Sequence, residues 1–483
     1  MKKIISIVCI AVQAIVLKAQ VTTVPFTVKH SSEFESPKGH KVMAPLGYGK
    51  NGIIQVNAKG IESFSLQKFS PELVLEKEAT ILTKERVGNR AEFERMVTTK
   101  NKTYLFARNV NKEQGREGVE ALEFFPDQLD FAQKSVTLFE SSRTVKPLYT
   151  GLGTVSADDV NAPKRYTFIQ SQGKEKFMYT YTLTPRERND DVNKDMIGLY
   201  VFDEKLNKLW GGEYQMPYSE AMMDNLGYTL SSDGKIYLLV RVFGKEDRIA
   251  AIKKNGAVEY HYEVLVYQKD QPTAKAIEIK LDNYFPQEAY IYEDLNYNIV
   301  IAGFYSKSSS TSIDGAYMVK LEVDKGTVSR LNGGTYEIPP DVIKAYSSDW
   351  EKRRLEKRER KGENIGIRDL EIRSIATTPN GSIKIVAEQY LTYQYYDYTR
   401  YPGYGNPYYM SHPGGVFYSG RPNSRTSYNT KADDIFVFSI DAGGRLEWLK
   451  KIPKSQHSND RTAEGLSLAC SFTGNDVNIF FLD

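Results

Sequence analysis

Short apolar runs of alternating character, each closed by a turn signal, recur from about residue 41 to the end of the chain. In one of them, Leu226-Gly-Tyr-Thr-Leu230 leads through Ser231-Ser-Asp-Gly234 into Ile236-Tyr-Leu-Leu-Val240. Alternation with a period of two gives a strand one apolar and one polar face, and Asp-Gly supplies the positive φ of a tight turn. A second hairpin follows, Glu263-Val-Leu-Val-Tyr267 and Ala276-Ile-Glu-Ile-Lys280. The same double hairpin is read at Thr377-Thr-Pro-Asn-Gly381 with Ile383-Lys-Ile-Val386, and at Ile435-Phe-Val-Phe-Ser-Ile440 with Asp441-Ala-Gly-Gly444.

Second strands of successive units are predicted to start near Gly52, Thr103, Lys176, Lys235, Asn298, Ser382 and Asp476. The two longest intervals contain insertions at 341–368 and 392–432. Without them the period is roughly 50–70 residues, with four strands per period. The expected fold is all-β: a single β-propeller domain over 20–483, of about seven four-stranded blades with one short helical insertion. Tandem β-sandwiches, the competing architecture, need about 100 residues each. The last unit shows only two strands, in 466–472 and 477–482. Either the segment around 24–28 completes it and closes the ring, or the sequence is cut short.

Residues 1–19 are expected to be a signal peptide. Met1-Lys2-Lys3 precedes an apolar run of about 14 residues, and Lys18-Ala19-Gln20 places a small residue before a polar one. Cleavage after Ala19 removes Lys2, Lys3 and Lys18. The remaining basic residues then equal the 61 acidic ones, and the formal charge falls from +3 to zero. The basic pI of 8.4 is therefore no sign of a nucleic-acid partner. The expected location is the periplasm, the outer-membrane surface or the extracellular space. No apolar run in the mature chain is long enough for a transmembrane helix. Cys9 leaves with the signal, so Cys470 has no partner for an internal disulfide.

The signal ending Lys18-Ala19-Gln20, blade turns such as Ser231-Ser-Asp-Gly234 and the strand ending Val201-Phe202-Asp203 resemble those of secreted β-propeller proteins of Bacteroidota type. The resemblance spans most of 41–483. It is one of pattern and carries over no site residue. WD40 and kelch signatures are absent from the sequence.

In an up-and-down meander, connections alternate between the two ends of the strands. First-to-second and third-to-fourth turns are all short here. The long connections, 141–164, 184–196, 244–260, 341–371 and 392–432, fall at the other end. Long loops on a rigid scaffold are where binding and catalysis concentrate. The 341–368 insertion carries a predicted basic helix with Trp350, Arg353, Arg354 and Arg358. It reads as a docking helix for an acidic surface or as a solvated helix anchored by Trp350 and Leu355, with Glu356 and Arg360 able to pair. The 392–432 insertion carries Tyr395, Tyr396, Tyr401, Tyr408 and Tyr409. Gly and Pro rule out a regular element there, so it reads as an aromatic binding loop or as a loop packed on its own scaffold.

Catalytic and metal motifs are missing from the sequence. None of the histidines lies in a His-Glu-x-x-His pattern, and there is neither a Gly-x-Ser-x-Gly elbow nor a Walker loop. The 189–195 loop alternates carboxylates and amides but lacks the Gly and Glu of an EF-hand. No cofactor and no metal are expected. The first reading is a non-enzymatic scaffold that holds a protein or glycan of the cell envelope on its long-loop face. The alternative is a glycoside hydrolase or polysaccharide lyase, using carboxylates such as Asp158, Asp190, Asp191, Asp349 and Asp369 near the ring axis.

Overall fold

The computed structural model describes residues 30–35, 38–42, 45–47, 52–88, 91–147, 165–185, 194–244, 260–281, 283–308, 312–396, 426–459 and 466–482. Nearly all of the regular structure is antiparallel sheet. Sheet one contains β1 (Lys41–Val42), β2 (Ile53–Lys59), β3 (Ser63–Phe69) and β4 (Leu75–Leu82). Sheet two contains β5 (Glu92–Thr98), β6 (Thr103–Asn111), β7 (Arg116–Phe125), β8 (Asp130–Phe131) and β9 (Val136–Glu140). Sheet three contains β10 (Thr167–Gln170), β11 (Lys176–Thr182), β12 (Lys194–Asp203) and β13 (Lys208–Ser219).

Sheet four follows with β14 (Met223–Leu230), β15 (Ile236–Phe243), β16 (Tyr260–Tyr267) and β17 (Lys275–Ile279). Sheet five has β18 (Phe285–Glu293), β19 (Ile299–Ser306), β20 (Gly315–Glu322) and β21 (Thr327–Glu337). Two helices, α1 (Pro340–Lys344) and α2 (Asp349–Arg360), precede sheet six. That sheet is β22 (Leu370–Thr377), β23 (Ile383–Tyr396), β24 (Thr426–Ile440), β25 (Leu446–Ile452) and β26 (Gln456–Ser458). A hairpin of β27 (Leu468–Thr473) and β28 (Asp476–Phe481) ends the described chain. All seven expected second-strand starts fall within one residue of β2, β6, β11, β15, β19, β23 and β28.

Each sheet packs on the next in chain order, and each junction is an apolar core. Phe64 and Leu66 of sheet one meet Leu105 and Phe124 of sheet two. Phe106 and Phe139 meet Phe177 and Tyr179. Leu199 meets Leu238, Val264 meets Ile301, and Phe304 meets Phe438. Val437 of sheet six packs on Leu468 and Ile479 of the hairpin. Removing such side chains from water, at about 1.5–3 kcal/mol each, is what drives one sheet onto the next. The first strands of neighbouring sheets are also hydrogen-bonded: Gln170 donates to the Thr98 carbonyl at 3.1 Å, and Thr229 to that of Ile291 at 2.7 Å. The outermost strands are polar, as β4 shows with Glu76, Lys77 and Glu78 exposed, which discourages edge pairing.

The short-turn end uses one device repeatedly. Asp203 Oδ1 accepts from the amides of Lys205 and Asn207, each at 2.9 Å. Asp294 Oδ1 accepts from Asn296 and Asn298, each at 2.8 Å. Ser231 and Asp441 accept from Lys235 and Arg445 in the same way. Gly234 closes its turn at φ +94°, a region open to glycine.

The tyrosine-rich insertion departs from expectation. Strands β23 and β24 extend past the body of sheet six as a ribbon, with Tyr395 opposite Ser427 and Tyr396 opposite Thr426. These tyrosines therefore lie on a strand. The sequence from Thr392 to Tyr396 is free of Gly and Pro and rich in β-formers, so the ladder runs on through Tyr396. Tyr401, Tyr408 and Tyr409 fall outside the described residues, as do 24–28 and 1–19.

Candidate functional site

The first strand of each sheet begins at the end of the long connections. At that end, four sheets place an acid at one equivalent register position. Glu92 pairs with Arg108 across β5 and β6, and Asp224 with Arg241 across β14 and β15. Glu288 pairs with Phe304 across β18 and β19, and Glu371 with Glu388 across β22 and β23. Beside each acid the ladder is bulged. Three sheets share the same bulge, at Phe93/Arg95, Asn225/Gly227 and Ile372/Ser374. In sheet five it lies two pairs earlier, just before the acid, at Pro286/Glu288. Bulges bend the strand and re-aim side chains, and they recur beside functional sites.

Three of the four acids are held by arginine. The Arg108 guanidinium lies 2.5 Å from Glu92 and 2.8 Å from buried Glu117. Glu117 also lines a surface depression with Asn109, Arg116 and Glu140. Arg241 binds Asp224 at 2.6 Å and stacks on Phe243 and Tyr260. Arg373, the bulged residue of β22, reaches Glu371 at 3.1 Å and Glu388 at 2.8 Å, and lies 4.0 Å from the Tyr390 ring centre. Glu388 is fully buried and takes a second cation, Lys454, at 2.7 Å.

Glu288 differs from the other three. Among the described residues no cation forms an ion pair with it. Its oxygens accept from the Ile372 amide at 3.0 and 3.1 Å, which ties β18 to β22 and sets Glu288 beside Glu371. Burial pushes its carboxyl up to about 7, opposed by the Ile372 hydrogen bond and reinforced by the charge of Glu371. Burial also raises Glu371, held back by Arg373. Asp369, two residues earlier and at φ +56°, is raised by burial as well. One inter-sheet junction thus combines an acid protonated near neutrality, a second carboxylate and an arginine.

Of the carboxylates singled out in the sequence, Asp369 reaches this junction, and Asp349 opens α2 instead. Asp158, Asp190 and Asp191 fall outside the described residues. Glu92, Asp224, Glu288 and Glu371 were missed. Their signal was register: each faces the fifth residue after its unit's second-strand start. On α2, Trp350 is 67% exposed, so it does not anchor the helix. Arg354 stacks on it at 5.2 Å. Arg358 turns inward to Glu363 at 3.3 Å and to the Asn364 carbonyl. Arg360 donates to the Glu356 backbone carbonyl rather than to its carboxylate. Among the described residues, no group of three or more His, Cys, Asp or Glu side chains could hold a metal ion.

No known family matches this sequence, and no curated protein does. Among solved structures, the chain is similar to a protein of unknown function from Dyadobacter fermentans, at 8% identity over 76% of this chain and 95% of that one, TM-score 0.30. It is similar to the α-L-arabinofuranosidase Arb93A of Fusarium graminearum, at 9% identity over 75% and 93%, TM-score 0.32. A thermostable family-43 glycoside hydrolase overlaps at 11% identity over 62% and 94%, TM-score 0.25. At these identities and TM-scores the overlaps assign neither family nor activity to this chain.

Proposed function

We propose that this chain is an exported carbohydrate-active protein that cleaves glycosidic bonds at the long-loop end of a ring of about seven sheets. The observation that carries this reading is the junction of β18 and β22. There Glu288, without a cation partner, stands beside Glu371 and Arg373. Cleavage of a glycosidic bond needs a carboxylic acid that keeps its proton near neutral pH and a second carboxylate that has lost its own. In this reading protonated Glu288 gives its proton to the glycosidic oxygen as the bond to the anomeric carbon breaks. Ionised Glu371 takes a proton from the water that attacks that carbon. Arg373 orients Glu371 and opposes the rise that burial gives its carboxyl, and buried Glu388 fixes Arg373.

The test is reducing-end release from a panel of plant and microbial polysaccharides by the mature protein. Glu288→Gln keeps the acceptor for the Ile372 amide but has no proton to give. It is expected to lower turnover by about 100-fold or more at unchanged melting temperature. Full turnover in that variant overturns the assignment. Absence of release by the folded wild type across the panel favours the non-enzymatic scaffold.

A further inference from the structure

Helix α2 presents one face that nothing in the described structure covers. Trp350, Arg353, Arg354 and Lys357 recur at spacings of three and four, the pattern of a single helical stripe, and all four are exposed. Among the described residues no carboxylate pairs with Arg353, Arg354 or Lys357. Two acids of α2 are engaged elsewhere: Glu351 completes the capping box with Ser348, and Glu359 binds Lys344 at 3.0 Å. The helix is also firmly based. Lys451 of β25 donates to the carbonyls of Ile343 and Ala345 at the end of α1, at 3.1 and 2.9 Å, Lys344 of α1 binds Glu359 of α2, and Arg358 ties the far end of α2 to Asn364. The stripe is about 10 Å long, cationic throughout, with an aromatic ring at one end.

We infer that this stripe is a docking track for an anionic polysaccharide, the substrate class of the site proposed above, on which this inference rests. A sugar ring stacks on an exposed indole, and Arg354 lies over the Trp350 ring at 5.2 Å. The cations that follow meet carboxylates or sulfates spaced along a linear polymer. A membrane surface needs a broad apolar helix face, and α2 has only Trp350 and Leu355. A protein interface needs a packed apolar centre, and among the described residues of 340–370 the exposed large aromatics are Trp350 and Tyr346. The loop after α2 leads directly into β22, the strand that carries Glu371.

The experiment is affinity electrophoresis of the mature protein in gels containing polygalacturonate or neutral arabinan, with a parallel sedimentation arm using vesicles of anionic phospholipid. Polygalacturonate is expected to retard the wild type in a salt-sensitive way, and arabinan much less. Charge reversal of Arg353, Arg354 and Lys357 should weaken retardation roughly tenfold, and Trp350→Ala roughly fivefold. Reversal of Lys205, Lys269 and Lys325 on the short-turn end makes the same change in net charge and should leave retardation as in the wild type. Equal loss in both charge-reversed variants shows nonspecific attraction and overturns the inference, as does unchanged retardation in the α2 variant. Sedimentation with vesicles but no retardation by polygalacturonate assigns the track to a lipid surface instead. Glu288→Gln separates this from the catalytic reading: it should abolish cleavage while leaving retardation intact, so either idea can fail alone.

Discussion

The two ends of the strands are built from different chemistry. At the short-turn end, side chains of Asp203, Ser231, Asp294 and Asp441 accept from the amides of their own turns. Each turn closes on its own acceptor within a few residues, and Ser232 also donates to Glu293 of the next sheet at 2.9 Å. At the long-loop end, Glu92, Asp224, Glu288 and Glu371 stand at one register position, and three of them depend on arginines that reach them across a bulged ladder or along the strand. The short turns also touch their neighbours: Trp210 donates to the Gly234 carbonyl at 2.8 Å, and Tyr336 to that of Gly444 at 2.7 Å. Charge held across strands ties together the strands of one sheet, and the Glu288 contact to the Ile372 amide joins sheet five to sheet six and leaves Glu288 in an environment that shifts its protonation. Repetition of the fold therefore explains the first end, and departures within the repeat mark the second.

The contrast is expected to appear in stability measurements. Removing Glu388 by Glu388→Ala leaves Arg373 and Lys454 without their shared buried carboxylate. It should cost about 3–5 kcal/mol, read as a lower denaturation midpoint, and a loss under 1 kcal/mol breaks the claim that this end is held by coupled charge. At the other end, Asp294→Ala removes the acceptor of two amides and should cost about 1–2 kcal/mol. Gly234→Ala forces a side chain to φ +94° and should cost about 1 kcal/mol, with no effect on carbohydrate turnover or retardation.

The pH dependence sharpens the same comparison. Glu288 titrates at about 7 in the folded chain against an ordinary carboxylate value near 4.3. Its protonated form is favoured by folding, so its contribution to stability is complete below the unfolded value. It declines as pH rises toward about 7 and is lost above that. Melting curves from pH 4 to 8 should show this decline in the wild type, and Glu288→Gln should flatten it. Identical slopes in the two proteins would contradict the shifted carboxyl.

Much of the scaffold was legible in the sequence, because strand alternation and turn residues are local signals. The second-strand starts from Gly52 to Asp476 fell within a residue of the strands observed, and the partition into short and long connections held among the described residues. The site was less legible. Asp369 was found because it lies in a long connection, but Glu288 and Glu371 lie two to four residues inside strands, where acids read as solvent-facing positions of an amphipathic strand. Only the cross-strand register, with its bulges, shows that they are equivalent, and register follows from pairing rather than from composition. The Tyr395-Tyr396 ribbon was misread for a related reason: the Gly and Pro residues beyond Tyr401 were allowed to speak for a segment that contains neither.

The most direct test of the account is a carboxyl carbon NMR titration of Glu288 in the mature protein. Its resonance is assigned by loss in Glu288→Gln, with and without oligosaccharides from the best-retained polymer. The account expects a midpoint near 7 in the free protein and a displaced midpoint when the oligosaccharide is bound. A midpoint near the ordinary carboxylate value, unmoved by every oligosaccharide tried, would contradict it.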